Sequence, residues 1–251
     1  MISAAYSDIG IEKQTNQDSY CVLSAETPKG EVIFLAIADG MGGLEKGEMA
    51  SGAVIQCFAD HFVQDVSSIE TNDDLTEIQR RWSKRIQQLN FKIRNYGKSL
   101  NLQLGTTLTA MLLVQNSYLI MHIGDCRIYQ IRDQQIHQLT QDQTFIAYQI
   151  AQGNMTEQEA SADPRRNMLL QCIGVNPVVE PEFIKGEILR EDLYLMCSDG
   201  FRHQLSDQEI LTASLSSECN EEGYCKTLIC LTELVKTRKE NDNITAMFVK
   251  I

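Results

Sequence analysis

Four aspartates in this sequence stand where an apolar run gives way to a tight loop: Asp39, Asp125, Asp199 and Asp242. Asp39 closes Phe34-Leu35-Ala36-Ile37-Ala38 and is followed by Gly40-Met41-Gly42-Gly43. Asp199 closes Leu193-Tyr194-Leu195-Met196-Cys197-Ser198 and is followed by Gly200, the same pattern again. Asp125 sits in the corner Gly124-Asp125-Cys126, and Asp242 just ahead of the apolar segment Ile244–Val249. Aspartate is a standard turn former, so each one alone reads more readily as a turn residue, and Asp39-Gly40 as a hairpin turn. Four together permit more. If their strands lie in packed antiparallel sheets, the strand ends can converge on one edge. Carboxylates gathered there would repel one another, and divalent cations would neutralise them. Oxygen donors suit Mg²⁺ or Mn²⁺ better than Zn²⁺. No H-E-x-x-H segment or Cys/His cluster offers a zinc site. The glycines beside Asp39 would let a ligand approach the main chain closely. The four histidines (61, 122, 137 and 203) are scattered and read as structural or surface residues.

The elements that must position these aspartates follow from hydrophobic period. Strands are expected at 2–6, 20–23 and 31–38. Met49, Ala53, Cys57, Phe58 and Phe62 recur at helical spacing, as do Leu75, Ile78, Trp82, Ile86, Leu89, Ile93 and Tyr96. These stripes predict two long helices joined by a polar linker at 67–74. Four short strands follow at 107–114, 118–123, 127–131 and 135–139, and they read as an antiparallel meander with Gly124 and Asp125 at one corner. Residues 142–176 are polar and irregular, with helical pieces at 143–151 and 156–161. An excursion of that length from a sheet is usually a functional loop or flap. Strands near 180–185 and 192–197, helices at 206–214 and around Tyr224, Leu228, Leu231 and Val235, and a final strand at 244–249 complete the chain.

Composition narrows the function. The 251 residues carry a net charge of −12, which argues against a protein that grips nucleic acid. No apolar run approaches the roughly 18 residues of a membrane span, and the first residues lack a signal peptide's basic start. The eight cysteines show no C-x-x-C pair, and several sit inside apolar runs, as reduced thiols of a cytoplasmic protein would.

At this point a family resemblance enters. The chain resembles the metal-dependent serine/threonine protein phosphatases of type 2C, in their bacterial form. The residues that carry the likeness are Ser7-Asp8-Ile9-Gly10 with Asn16-Gln17-Asp18, then Ala38-Asp39-Gly40-Met41-Gly42-Gly43 with Gly47-Glu48. The likeness continues through Gly105-Thr106-Thr107, His122-Ile123-Gly124-Asp125-Cys126-Arg127, Ser198-Asp199-Gly200 and Asp242-Asn243-Ile244-Thr245. Each alone is weak; all of them in order over nearly the whole chain are specific. The resemblance implies an α+β fold of two packed antiparallel sheets flanked by helices on both sides. It implies one catalytic domain over 1–251, with a flap at about 142–167.

The resemblance also implies roles. Asp39 would bridge two Mn²⁺ or Mg²⁺ ions, one of them also held by the carbonyl of Gly40 and the other by Asp199 and Asp242. Asp125, with Asp199, matches a third metal site. Asp18 would accept hydrogen bonds from metal-bound waters. Lys13 stands where the family usually has arginine against the substrate phosphate, keeping the charge without the planar fork. Met41 replaces the histidine that animal members carry after Asp-Gly. The activity implied is hydrolysis of phosphoserine and phosphothreonine by a water or hydroxide held between two ions. Phosphoprotein substrates, a cognate kinase and a monomer follow as expectations. Two other readings stand beside it. One is a regulatory module that keeps the fold without turnover. The other is a nucleotide phosphohydrolase, for which no Walker loop speaks.

Overall fold

The unbroken apolar run ahead of Asp39 is a strand buried on both faces, which is why it shows no polar alternation. In the computed structural model, which describes residues 1–41, 46–71 and 75–251, this strand sits between a helical layer and a second sheet. The elements in chain order are β1 (Ile2–Asp8), β2 (Asp18–Thr27), β3 (Gly30–Asp39), α1 (Gly47–Thr71), α2 (Leu75–Ser99), β4 (Leu108–Val114) and β5 (Ser117–Ile123). Next come β6 (Arg127–Arg132), β7 (Gln135–Gln138), α3 (Phe145–Ala151), α4 (Glu157–Ala162), β8 (Glu182–Glu187) and β9 (Leu193–Cys197). The chain finishes with α5 (Asp199–Arg202), α6 (Asp207–Ser216), α7 (Glu221–Thr237) and β10 (Ile244–Lys250).

Two antiparallel five-stranded sheets result, in the orders β1-β10-β9-β6-β7 and β2-β3-β4-β5-β8. Three apolar layers hold them. Phe34, Ala36 and Ala38 of β3 pack on α1 and α2, where Phe58 and Trp82 close edge-on with ring centroids 5.8 Å apart. Ile33, Leu35 and Ile37 point the other way, against Met196, Met247 and Val249 of the second sheet. Leu195 and Phe248 face away from the seam, onto Phe201 of α5 and Leu228 and Val235 of α7. The order is helix, sheet, sheet, helix, as the resemblance implied.

Three expectations are corrected. The strands at 107–139 are not one meander: β4 and β5 form a hairpin in one sheet, β6 and β7 a hairpin in the other. Residues 124–126 carry the chain between the sheets. Gly124 permits this with φ +116, and a Cβ there would lie 2.5 Å from Thr107 Cγ2. On α1 the buried line is Ala50, Val54, Phe58, Phe62, Val66 and Ile69, whereas Ala53 is exposed. Phe58 and Phe62 of the expected stripe are buried, but at its start the buried positions are Ala50 and Val54, and Met49 is exposed with Ala53. The polar linker begins late, because α1 runs on to Thr71 with Ile69 packed inward. Gly42 and Gly43 of the glycine-rich turn, and residues 72–74 of the linker, lie outside the described residues.

The excursion between β7 and β8 holds α3 and α4 as expected. Thr144 caps α3, accepting from the Ala147 N–H, and Thr156 forms a capping box with Glu159 at α4. Among the described residues no helix is long and apolar enough to cross a membrane.

Candidate metal centre

Antiparallel order decides where the aspartates go. Strands β1, β3, β5 and β9 end at one edge of the two-sheet stack, and β2, β4, β6 and β10 begin there. Asp39 ends β3, and Asp18 begins β2 directly opposite it in the register. By the two-residue period of a strand, Asp39 shares the face of Ile33, Leu35 and Ile37, the seam between the sheets. Thr245 shares the matching face of β10 with Met247 and Val249. Its hydroxyl donates to Asp18 Oδ2 across the seam at 2.6 Å. Ser7 Oγ lies 2.8 Å from Thr245 Oγ1 and accepts from Asn16 Nδ2 at 2.8 Å, while Asn16 Oδ1 accepts the Asp18 N–H.

The main chain around Asp39 is held by its neighbours. Its N–H donates to Thr107 Oγ1 at 2.9 Å, and its carbonyl accepts from Thr107 N and Thr106 Oγ1 at 2.9 Å each. Gly40 donates its N–H to the Gln17 carbonyl at 3.1 Å. A Cβ on Gly40 would lie 2.5 Å from that same carbonyl and 2.6 Å from Gly47, so glycine is required by space.

Asp199 follows β9 as the first residue of α5. Its Oδ1 is buried with no partner among the described residues, and so is Asp18 Oδ1. Buried carboxylate oxygens rarely go unbonded. Asp242 meets Lys13, whose Nζ lies 2.7 Å from Oδ1. The loop that carries Lys13 is pinned by the next residue along: Asn243 Oδ1 accepts the Gln17 N–H, and its Nδ2 donates to the carbonyls of Ile9 and Thr15. Asp125, at the crossing between the sheets, is 7% exposed, and its carbonyl accepts from Arg202 Nη2 at 3.4 Å.

These groups feel one another. Burial, then the charges of Asp18, Asp199, Asp125 and Asp242, push the Asp39 carboxyl well above the usual carboxylate range. Burial first, and then Asp199 and Asp242, raise Asp18 in spite of its bond from Thr245. Burial and Asp199 raise Asp125 against the nearby Arg202 and His203. Burial pulls the Lys13 ammonium down, but its bond to Asp242 and the fields of Asp242, Asp39 and Asp199 more than reverse this. The structure therefore brings Lys13, Asp18, Asp39, Gly40, Asp125, Asp199 and Asp242 to one edge of the sheets.

The donor set is carboxylate and carbonyl oxygen, with two bare buried oxygens and an excess of negative charge. That fits a hard divalent cation. The side chains are gathered without closing into a cage: among the described residues no three of His, Cys, Asp or Glu converge on one point.

Several neighbours escaped the sequence reading. His203 lies 3.6 Å from Asp199 Oδ2 and 3.7 Å from Glu240 Oε2. Its signal was the four-residue step from Asp199, which puts both on one side of a helical turn. Asp142 takes both Arg127 Nε and Nη2 at 2.8 Å and Arg202 Nη2 at 3.0 Å, tying the root of the 142–176 excursion to β6 and α5. His122, by contrast, is a buried scaffold residue between Thr109 Oγ1 and the Gln141 carbonyl, and burial lowers its pKa to about 4.

Comparison with known proteins adds independent findings. A family model described as protein phosphatase 2C matches residues 11–231. The serine/threonine protein phosphatase PstP of Mycobacterium tuberculosis is 32% identical over 257 residues, covering 99% of this chain and 44% of that protein. The chain thus spans less than half the length of that relative. Protein phosphatase PhpP of Streptococcus pneumoniae is 31% identical over 207 residues, covering 81% of this chain and 80% of that one. The crystal structure of the PstP catalytic domain in complex with 2 manganese ions aligns with a TM-score of 0.75 at 30% identity, covering 98% of this chain and 96% of that one.

Proposed function

The chain belongs to the protein phosphatase 2C family, and from that premise we propose that it is a metal-dependent phosphatase acting on phosphoserine and phosphothreonine in proteins. The observation that carries the reading is the pair of bare buried oxygens, Asp18 Oδ1 and Asp199 Oδ1, within a group of mutually repelling carboxylates. Asp39, the Gly40 carbonyl, Asp199 and Asp242 would hold two Mn²⁺ or Mg²⁺ ions, and Asp125 with Asp199 a third. When bound, the ions supply positive charge to the phosphate oxygens and acidify water to the point where it can act as nucleophile.

The residues of the chain have the remaining tasks. Asp18, fixed through Oδ2 by Thr245, keeps Oδ1 to accept hydrogen bonds from water in the cleft. Lys13, held on Asp242 in this structure, would turn its ammonium to the substrate phosphate. Asn243 holds the loop that carries Lys13 against the ligand strand, so the cation stays beside the reacting group. Phosphoryl transfer is mostly positioning and charge neutralisation, so Ser198 and the cysteines need not act as nucleophiles.

On the same reading, residues 1–251 act as one catalytic domain, and the flap at 142–167 meets the substrate. The partners are phosphoproteins and a cognate serine/threonine kinase, and the protein works as a cytoplasmic monomer. The test is hydrolysis of phosphoserine and phosphothreonine peptides with Mn²⁺, with Mg²⁺ and after exhaustive chelation. Turnover only with added metal is expected. Full activity after chelation would reject the mechanism, and hydrolysis confined to nucleotides would reject the substrate class.

A further inference from the structure

Asp199 has two carboxylate oxygens in different surroundings. Oδ1 is buried and bare, whereas Oδ2 lies 3.6 Å from Nε2 of His203. The other ring nitrogen, Nδ1, lies 3.7 Å from Glu240 Oε2. Glu240 is 6% exposed, and its Oε1 accepts the main-chain N–H groups of Asn241 at 2.9 Å and Asp242 at 3.1 Å. A continuous line of close contacts and hydrogen bonds therefore runs from the Asp199 side chain, through His203 and Glu240, to the main chain of Asp242. The two histidine separations are longer than hydrogen bonds. Local structure sets the ring's place: His203 caps the turn begun by Asp199, donating its N–H to the Asp199 carbonyl at 3.0 Å.

We propose that His203 is a positioning residue for the ion held by Asp199 and Asp242. It engages one oxygen of Asp199 so that the other is presented to the ion, and through Glu240 it fixes the distance between the two ligand loops. The inference rests on the reading of Asp199 and Asp242 as ligands. Partners of this kind, one bond removed from the metal, typically change affinity 10–100-fold when lost. The bland alternative is a surface ion pair, since the His203 side chain is 29% exposed. Such a pair would leave metal affinity alone.

The experiment is calorimetric Mn²⁺ titration of the purified chain beside His203→Ala, His203→Gln, His203→Asn and Glu240→Gln, with the melting temperature of each apoprotein measured separately. The expected result is that His203→Ala weakens Mn²⁺ binding by about 10–100-fold. His203→Gln, whose amide nitrogen reaches the Nε2 position, restores most of the affinity, and His203→Asn does not. Because the two residues act in one line, Glu240→Gln added to His203→Ala costs little more than His203→Ala alone. Wild-type protein that binds no Mn²⁺ would sink the underlying metal reading. Wild-type protein that binds Mn²⁺, with equal affinity in His203→Ala or better rescue by Asn than by Gln, would overturn this inference alone. Should His203→Ala unfold the apoprotein, the contrast between Gln and Asn still decides.

Discussion

Lys13 offers the sharpest test, because the proposed function gives it two tasks that pull measurements in opposite directions. Its ammonium lies 2.7 Å from Asp242 Oδ1, with the two side chains 27% and 36% exposed. A pair so open to water is worth about 0.2–1 kcal/mol. In Lys13→Ala that interaction no longer competes for Asp242, so Mn²⁺ should bind there more tightly, by up to about fivefold. On the proposed reading the same change also removes the cation that meets the substrate phosphate. A hydrogen bond to a charged group is worth about 1.5–3 kcal/mol, so kcat/KM should fall roughly tenfold to a hundredfold. The loss should appear chiefly in KM. Assays at saturating Mn²⁺ keep the first effect from masking the second, and a Mn²⁺ titration reads the first directly. Lys13→Arg should lower KM below the wild type, since a guanidinium meets phosphate through a planar fork. If both variants match the wild type in KM and in Mn²⁺ affinity, Lys13 is a solvated surface charge and plays no part at the site.

Other outcomes follow from the same arrangement. Asp39→Asn should abolish turnover in a folded protein and raise the apoprotein's melting temperature, because it relieves repulsion from four carboxylates; activity at the wild-type level would return Asp39 to a mere turn residue. Asp125→Ala should keep two Mn²⁺ ions, lose a further weak one and slow turnover at low metal; an unchanged count of bound ions would remove the third site. Burial and neighbouring charge push the carboxyls of Asp18 and Asp125 up to about 7, so the folded chain holds protons that the unfolded chain has released. The penalty is absent below about pH 4, where these carboxyls are protonated in both states, and grows as pH rises toward 7. In chelator the apoprotein should therefore melt higher at about pH 5 than at pH 8, with saturating Mn²⁺ cancelling the difference. A flat apoprotein profile across that window would count against the clustered carboxylates.

Much of this was legible in the residues. Two-faced burial made β3, β4 and β9 readable as unbroken apolar runs, and each strand–loop boundary announced its aspartate. The crossing between the sheets was not legible. A hairpin corner and a sheet-to-sheet corner look alike over Gly124-Asp125-Cys126, and what separates them is the packing of β6 on β9, set by residues near 193–197. His203 was passed over because a lone histidine carries no partner in one dimension. Its partner Glu240 lies far along the chain and comes near only when β10 returns beside β9. The rotation of α1 was hidden for a different reason: adjacent apolar lines share Phe58 and Phe62, and their period does not decide between Met49-Ala53 and Ala50-Val54.

The place of β10 in its sheet has a consequence for the order of events during synthesis. This strand lies between β1 and β9, yet it follows every other strand of both sheets in sequence. Every strand of the other sheet precedes it, so that sheet can pair while the ribosome is still at work. β1 precedes the other strands of both sheets and waits, its backbone unpaired on the side where β10 will insert. A nascent chain thus carries two open strand edges facing a gap, a template for wrong pairing until β10 arrives. Asp242 and Thr245 come with β10, so the candidate site gains them only once that strand is in place. On the proposed function, removal of a phosphate waits on the pairing of β10.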